Sequence, residues 1–173
     1  MGIFGFGKKK AVAEAMNALE KIRNIFESVR TIVERGELRT LPVGRYAVSD
    51  ITNTIDELSG LLRTAASYED ALVKQVDVME SELKKIGGIK EFRDLTEAEQ
   101  SAIAFSAEIG SEIQNLIKKI AQLSEATKTE NSAKYKTTLN EIKETVYNMI
   151  EQFRVLERLF YQIERIKTKR SAA

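Results

Sequence analysis

The sequence predicts an all-α protein that folds as an elongated up-down-up-down four-helix bundle with long amphipathic helices. Apolar residues recur at intervals of three and four over four long stretches, which is the helical period. Glycine, proline and polar clusters separate these stretches. Valine, isoleucine and threonine form no alternating runs, so we expect no strands. A chain of 173 residues suits one domain with a sizeable core.

The first helix is predicted over residues 9–35, where the apolar residues form a heptad seam. The seam consists of Val12, Ala15, Leu19, Ile22, Phe26, Val29 and Val33. Ile25 and Ile32 widen this stripe, either to complete the buried face of a bundle or to meet a second copy. Gly36 is predicted to end the helix, and residues 36–48, which contain the single proline, form the first connection.

The second helix is predicted over residues 50–86, with Ser49 or Asp50 as its N-cap. Its apolar stripe comprises Ile51, Ile55, Leu58, Leu62, Ala65, Leu72, Val76, Met79, Leu83 and Ile86. In the gap after Ala65, only Tyr68 is apolar enough to hold the stripe. We therefore expect this stretch to be the weakest part of the helix.

The third helix is predicted over residues 97–128 and the fourth over residues 132–168. Thr96 and Glu99 form a capping-box pattern at the start of the third helix. Its stripe comprises Ile103, Ile109, Ile113, Leu116, Ile117, Ile120 and Leu123. The stripe of the fourth helix comprises Tyr135, Leu139, Ile142, Val146, Met149, Phe153, Leu156, Phe160 and Ile163. The polar residues 127–132 form the connection between the two helices.

The chain is predicted to have three parts. Residues 1–10 form a flexible apolar and basic N-terminal segment, residues 11–168 form the four-helix bundle, and residues 169–173 form a disordered tail. No apolar run approaches the roughly 20 residues that span a bilayer, and the N-terminus does not match a secretory signal. We therefore expect a cytoplasmic location, at the inner face of a membrane if the N-terminal segment binds lipid.

The absence of histidine and cysteine argues against an enzyme. These residues supply the commonest general base, the thiolate nucleophile and the main ligands of transition metals. Acidic residues are plentiful, as at Glu80 and Glu82, but none is predicted on an apolar stripe, so we expect solvated positions for them. We predict no enzymatic activity, no catalytic residue, no metal site and no cofactor. The net charge of +1 lacks the basic excess of nucleic-acid-binding proteins, so nucleic acid is not an expected partner.

Two features inside the helices allow more than one interpretation. Gly60 and Gly110 could mark a close helix crossing or a partner groove. They could also be glycines that the helix simply tolerates, and we favour this interpretation. Tyr147 and Tyr161 lie off the seam of the fourth helix, so we expect them to face solvent or a second copy. Phe153 and Phe160 are expected in the core.

Residues 1–10 form the most unusual part of the sequence, because large apolar residues among glycines precede three lysines. Apolar side chains backed by cationic charge are typical of segments that bind anionic membranes. Alternatively, the phenylalanines pack against the end of the bundle. In an up-down-up-down bundle the C-terminal basic residues lie at the same end. The predicted membrane- or partner-binding residues are Ile3, Phe4, Phe6, Lys8, Lys9, Lys10, Arg165, Lys167, Lys169 and Arg170.

The opening MGIF, followed by KKK, resembles the start of the ESCRT-III and PspA membrane-remodelling proteins. This resemblance covers residues 1–10 and implies an N-terminal segment that inserts into bilayers. Residues 36–48 interrupt the chain where those families have a long hairpin, and the first helix is not strongly basic. The chain is therefore not assigned to them.

The predicted function is a non-enzymatic binding or scaffolding module that acts through protein–protein contacts or self-association. A protein partner or a homo-oligomer is therefore the expected interaction. The alternative is a peripheral membrane protein that docks on an anionic surface through its apolar and basic N-terminus.

Overall fold

Four long helices make up the part of the chain that the structure describes. The computed structural model describes the backbone of residues 2–34, 45–86 and 93–172, and the side chains of residues 11–34, 51–78, 81, 97–98 and 100–165. The helices are α1 (Gly2–Val33), α2 (Arg45–Ile86), α3 (Arg93–Lys128) and α4 (Ser132–Ala172). The all-α prediction is confirmed.

Each helix packs against two neighbours, so the four helices close into a bundle. α1 contacts α2 and α4, and α3 likewise contacts α2 and α4. Arg23 of α1 donates a hydrogen bond to Glu157 of α4 at 2.9 Å. Three residues further along α1, the ring of Phe26 contacts the ring of Phe153. The residue numbers of the contacts therefore decrease along α4 as they increase along α1. α1 and α4 are therefore antiparallel, and the predicted up-down-up-down bundle is confirmed.

The core consists of the predicted apolar stripes facing one another. Large side chains with almost no exposed surface include Tyr135, Phe26, Phe153, Phe160, Ile22, Leu58 and Leu62. The ring centroids of Phe26 and Phe153 are 4.9 Å apart at an interplanar angle of 77°, which is the edge-to-face geometry that aromatic pairs prefer. Phe153 and Phe160 are thus core residues, as predicted.

The turn between α3 and α4 is built from the predicted polar segment. Glu130 adopts a left-handed conformation with φ of 53°, and the Asn131 amide donates to the Ala126 carbonyl at 3.0 Å. This is the Schellman arrangement that ends a helix. The Asn131 side-chain oxygen then accepts from the Lys134 amide at 3.1 Å, so Asn131 is the N-cap of α4.

The predicted N-caps of α2 and α3 are wrong. α2 begins at Arg45, so Ser49 lies inside the helix, and α3 begins at Arg93, so Thr96 lies inside its first turn. The reason is that extending an existing helix adds one hydrogen bond per residue, so a good capping residue does not prevent the preceding residues from joining. The predicted helix end at Gly36 lies outside the described residues.

α1 and α4 are also longer than predicted. α1 begins at Gly2 and α4 ends at Ala172, so helix extends into the predicted N-terminal segment and C-terminal tail. The division of the chain into three parts stays a prediction. Over the residues that the structure describes, none of the four helices carries an apolar stretch long enough to cross a membrane.

Candidate functional site

A groove lies on the surface between α2 and α3. Its volume is about 640 Å³, within the range of small-ligand sites. The α2 wall is formed by residues at helical spacing, namely Ala66, Glu69, Asp70 and Val73. The α3 wall is formed by Ala107, Gly110, Ser111, Ile113, Gln114, Asn115 and Lys118.

Small side chains keep this groove open. Ala66, Ala107, Gly110 and Ser111 occupy positions where larger residues would fill the space between the helices. At Gly110 the space is tight, because a Cβ atom there would lie 3.1 Å from Glu69 Oε1. An alanine would therefore press against the carboxyl group. Gly110 makes room for Glu69 of α2, which favours a close helix crossing over a merely tolerated glycine at this position.

The carboxyl group of Glu69 is buried in the groove without a partner. The exposed fraction of the residue is 6%, and neither carboxylate oxygen has a hydrogen-bond partner. Burial, and secondly the negative charge of Asp70, raises the pKa of Glu69 from 4.5 to about 8. The group is therefore mostly protonated at neutral pH. An unsatisfied buried polar group costs about 1–3 kcal/mol, so its retention needs an explanation.

Other buried polar side chains differ from Glu69. The hydroxyl of Ser106 donates to the Ala102 carbonyl at 2.7 Å, and Thr127 makes the equivalent bond at 2.9 Å. Among the described residues, Gln152 Oε1 is the remaining buried side-chain atom without a hydrogen-bond partner, and Gln152 does not line the groove. An unpaired carboxyl group that faces a cavity is therefore specific to Glu69 within the described part of the chain.

The expectation that no acidic residue lies on an apolar stripe is wrong. Between residues 58 and 76, the buried stripe of α2 consists of Leu58, Leu62, Ala65, Glu69, Leu72 and Val76, at alternating spacings of four and three. Tyr68, which was predicted to hold this gap, is only partly buried, and Lys21 Nζ lies 5.1 Å from its ring centroid. The missed signal is the heptad itself, because helix geometry assigns position 69 to the core whichever residue occupies it.

The two ends of the groove differ in charge. Glu69 and Asp70 are adjacent at one end, beside Gly110. Lys118 follows Gly110 by eight positions, which is about 12 Å along a helix axis, so it lies at the other end. When protonated, Glu69 can both donate and accept a hydrogen bond, and when ionised it can pair with a cation. The groove can therefore hold a polar or cationic group at its acidic end.

The residues predicted to bind a membrane or partner lie elsewhere, near the ends of α1 and α4. Residues 3–10 belong to α1 and residues 165–170 to α4, and these two helix ends meet at one end of the bundle because the helices are antiparallel. Arg165 is exposed. The side chains of the other nine predicted residues lie outside the described residues, so their clustering stays a prediction.

The structure also bears on four other positions for which the sequence allowed more than one interpretation. Gly60 is exposed, and a Cβ atom there would meet nothing within 4 Å, which fits a tolerated glycine. Ile32 is buried, so it completes the core face of α1. Tyr147 and Tyr161 are exposed, at 42% and 55%. The Tyr147 hydroxyl donates to the Glu34 carboxylate, and this hydrogen bond raises the pKa of Tyr147.

Comparison of the chain with protein-family models, curated proteins and solved structures finds no match. The resemblance of residues 1–10 to membrane-remodelling proteins therefore gains no support from relatives. A function for this chain has to follow from the geometry of the molecule.

Proposed function

We propose that this chain is a non-enzymatic protein-binding module that docks a partner in the groove between α2 and α3. The observation that supports this function is the buried Glu69 carboxyl group, whose two oxygens find no donor among the described residues. A docked partner supplies the missing hydrogen bonds. Binding thereby recovers the free energy that the unpaired group costs in the unbound protein.

The composition of the groove also suits a protein segment. Val73 is apolar and 37% exposed, so it offers a contact for an apolar side chain at the rim. Ser111, Gln114 and Asn115 add hydrogen-bonding groups along α3. An apolar contact with polar groups around it is the usual anatomy of a protein interface. A trough between two helices is also a common receptor for a peptide segment.

A photo-reactive amino acid at Val73 is expected to cross-link a partner protein in cells. The matched control is Val155, which is the same residue type with a similar exposure of 39%, but lies on α4 outside the groove. Mass spectrometry of the cross-linked bands identifies the species that is captured at Val73 and absent at Val155. Identical capture at both positions would contradict docking in the groove.

The captured protein must then bind the groove as a purified component. Ala107→Trp fills the groove and is expected to weaken its affinity at least tenfold, whereas Ala104→Trp is expected to leave it unchanged. Both alanines are exposed on α3, but only Ala107 lines the groove. Equal affinity for the two variants would refute the proposal. If the captured species is a second copy, sedimentation should show a dimer that Ala107→Trp dissociates, and the module then acts by self-association.

The N-terminal end of α1 supports a second candidate function, peripheral membrane binding. α1 begins at Gly2, so Ile3, Phe4 and Phe6 share one helix with the three lysines that follow. The end of α4, with its basic residues, lies at the same end of the bundle as the start of α1. Apolar and cationic groups together are what a segment needs to hold an anionic bilayer surface.

Under this second function the protein should co-sediment with phosphatidylserine vesicles at low salt. Binding should weaken as salt rises, because exposed charges are screened beyond about 8 Å at physiological ionic strength. The double variant Phe4→Ser, Phe6→Ser should abolish binding. The control Val78→Ser, Val155→Ser removes two exposed apolar side chains elsewhere and should bind like the wild type. A wild-type protein that stays in the supernatant would exclude membrane binding by this segment.

A further inference from the structure

The acidic end of the groove selects the chemistry of what it binds. We infer that the group docked at Glu69 is the guanidinium of an arginine side chain on the partner protein, an inference that rests on the proposed function. The inference follows from the unpaired oxygens of Glu69, the acceptors on α3 and the distribution of charge around the groove.

Both oxygens of Glu69 are buried and unpaired, so a docked group that pairs with the ionised carboxylate has to offer two donors at once. A hydroxyl satisfies one oxygen, and an ammonium is a compact point charge without a fixed fork. A guanidinium presents two parallel N–H groups in one plane, which match the two oxygens of a carboxylate.

The opposite wall supplies acceptors for the donors that remain. An arginine side chain has five N–H groups, so three are left after a two-fold contact with Glu69. Ser111, Gln114 and Asn115 line the same groove, and each carries a side-chain oxygen that can accept a hydrogen bond. Val73 offers apolar surface for the methylene stem of the arginine. The groove therefore has complementary groups for both parts of the side chain.

The charges around Glu69 favour a cation as well. Asp70, on the same helix, adds a second negative charge beside the site. Lys118 of α3 lies at the far end of the groove, about 12 Å along the axis from Gly110. Lys21 of α1 stands over the ring of Tyr68 and does not line the groove. The charged groups that line the groove therefore leave a net negative end at Glu69.

Binding of a cation at this position is coupled to loss of the Glu69 proton. The guanidinium pairs with the ionised carboxylate, whereas unbound Glu69 keeps its proton up to pH of about 8. Affinity should therefore rise as the pH increases toward this value and level off above it. Each pH unit below it should weaken binding about tenfold, because the ionised fraction falls by that factor.

The test uses the peptide acetyl-Ala-Arg-Ala-amide, with citrulline in place of arginine as a neutral control of the same shape. The carboxyl ¹³C chemical shift of Glu69 is followed through a pH titration in the full-length protein. The peptide is added at about ten times its Kd for the protein with ionised Glu69, measured above pH 8. At this concentration the arginine peptide should lower the titration midpoint of Glu69 by about one pH unit. The citrulline peptide should leave the midpoint unchanged. An unchanged midpoint with the arginine peptide at millimolar concentration, or an equal shift with citrulline, overturns the inference.

Binding of the partner captured at Val73 to two variants of the protein distinguishes this inference from the proposed function. At pH 8, Glu69→Gln should weaken its binding at least tenfold and remove the pH dependence, while circular dichroism confirms an intact fold. If Glu69→Gln binds as tightly as the wild type and Ala107→Trp does not bind, the groove is the docking site and arginine is the wrong ligand. If Ala107→Trp binds normally, the proposed function itself fails.

Discussion

Replacing Glu69 with glutamine is expected to stabilise the folded protein at neutral and alkaline pH. The gain in the free energy of unfolding over the wild type should grow by roughly 4 kcal/mol between pH 4 and pH 8, because each pKa unit corresponds to about 1.4 kcal/mol. This is an unusual direction for a buried substitution, since most single changes in a protein destabilise it. The expected gain arises from removing an ionisable group that the folded state holds in its neutral form.

The direction follows from the two protonation equilibria of Glu69. Its pKa is 4.5 when solvated and about 8 in the folded protein, where burial disfavours the charged form. Below the lower value both states hold the proton, so stability does not change with pH. Between the two values the unfolded state loses the proton that the folded state keeps, and stability falls as the pH rises. Glutamine cannot ionise, so the variant lacks this loss.

Urea unfolding of both proteins across this pH range measures the difference. Glu108→Gln is the matched control, because Glu108 is exposed on the same helix as Gly110. Its effect should stay within about 0.5 kcal/mol, as for most exposed substitutions. A constant difference between the wild type and Glu69→Gln would mean that Glu69 is solvated in the folded protein, and the groove would lose its buried, unpaired carboxyl group.

Replacing Phe153 with alanine is expected to lower the free energy of unfolding by about 3–5 kcal/mol. Phe153 has no exposed surface, and its ring meets Phe26 edge-to-face at 4.9 Å. The substitution removes this contact and leaves a cavity between α1 and α4 that a packed bundle cannot fully close. Val155→Ala, two positions away on the exposed face, should change stability by less than about 0.5 kcal/mol.

A double-mutant cycle isolates the aromatic pair within this loss. Phe26→Ala alone should cost a similar amount, and the double variant should cost less than the sum by about 0.5–1.5 kcal/mol. Chemical denaturation of the four proteins gives these values. A loss below about 0.5 kcal/mol for Phe153→Ala would show that the core face of α4 has been misassigned.

Periodicity in the sequence predicted the helices well where it was continuous. The predicted ends of the second and third helices, at positions 86 and 128, and the predicted start of the fourth at position 132 coincide with the structure. The helix starts at Arg45 and Arg93 were missed by several residues. Local capping patterns compete weakly with helix extension, so they locate a helix start less reliably than a seam locates its face.

The candidate site was harder to predict than the fold. Glu69 lies on the buried stripe of α2, and reading the stripe by residue type alone excluded it. Gly110 looked like a tolerated glycine because the sequence does not show which residue of another helix faces it. Only the packing of α2 against α3 brings Glu69 Oε1 close to the Gly110 position and opens the groove beside them.

The sequence by itself determined that the chain is all-α, that four helices bury their stripes against one another, and that Phe26, Phe153 and Phe160 lie in the core. These properties follow from the local period of apolar residues, which each helix has to bury. The tertiary structure decided the groove and the state of Glu69. Burial, the pKa of a carboxyl group and the space beside a glycine depend on residues from a neighbouring helix, and the register between helices is set by side-chain packing that no single segment of the sequence contains.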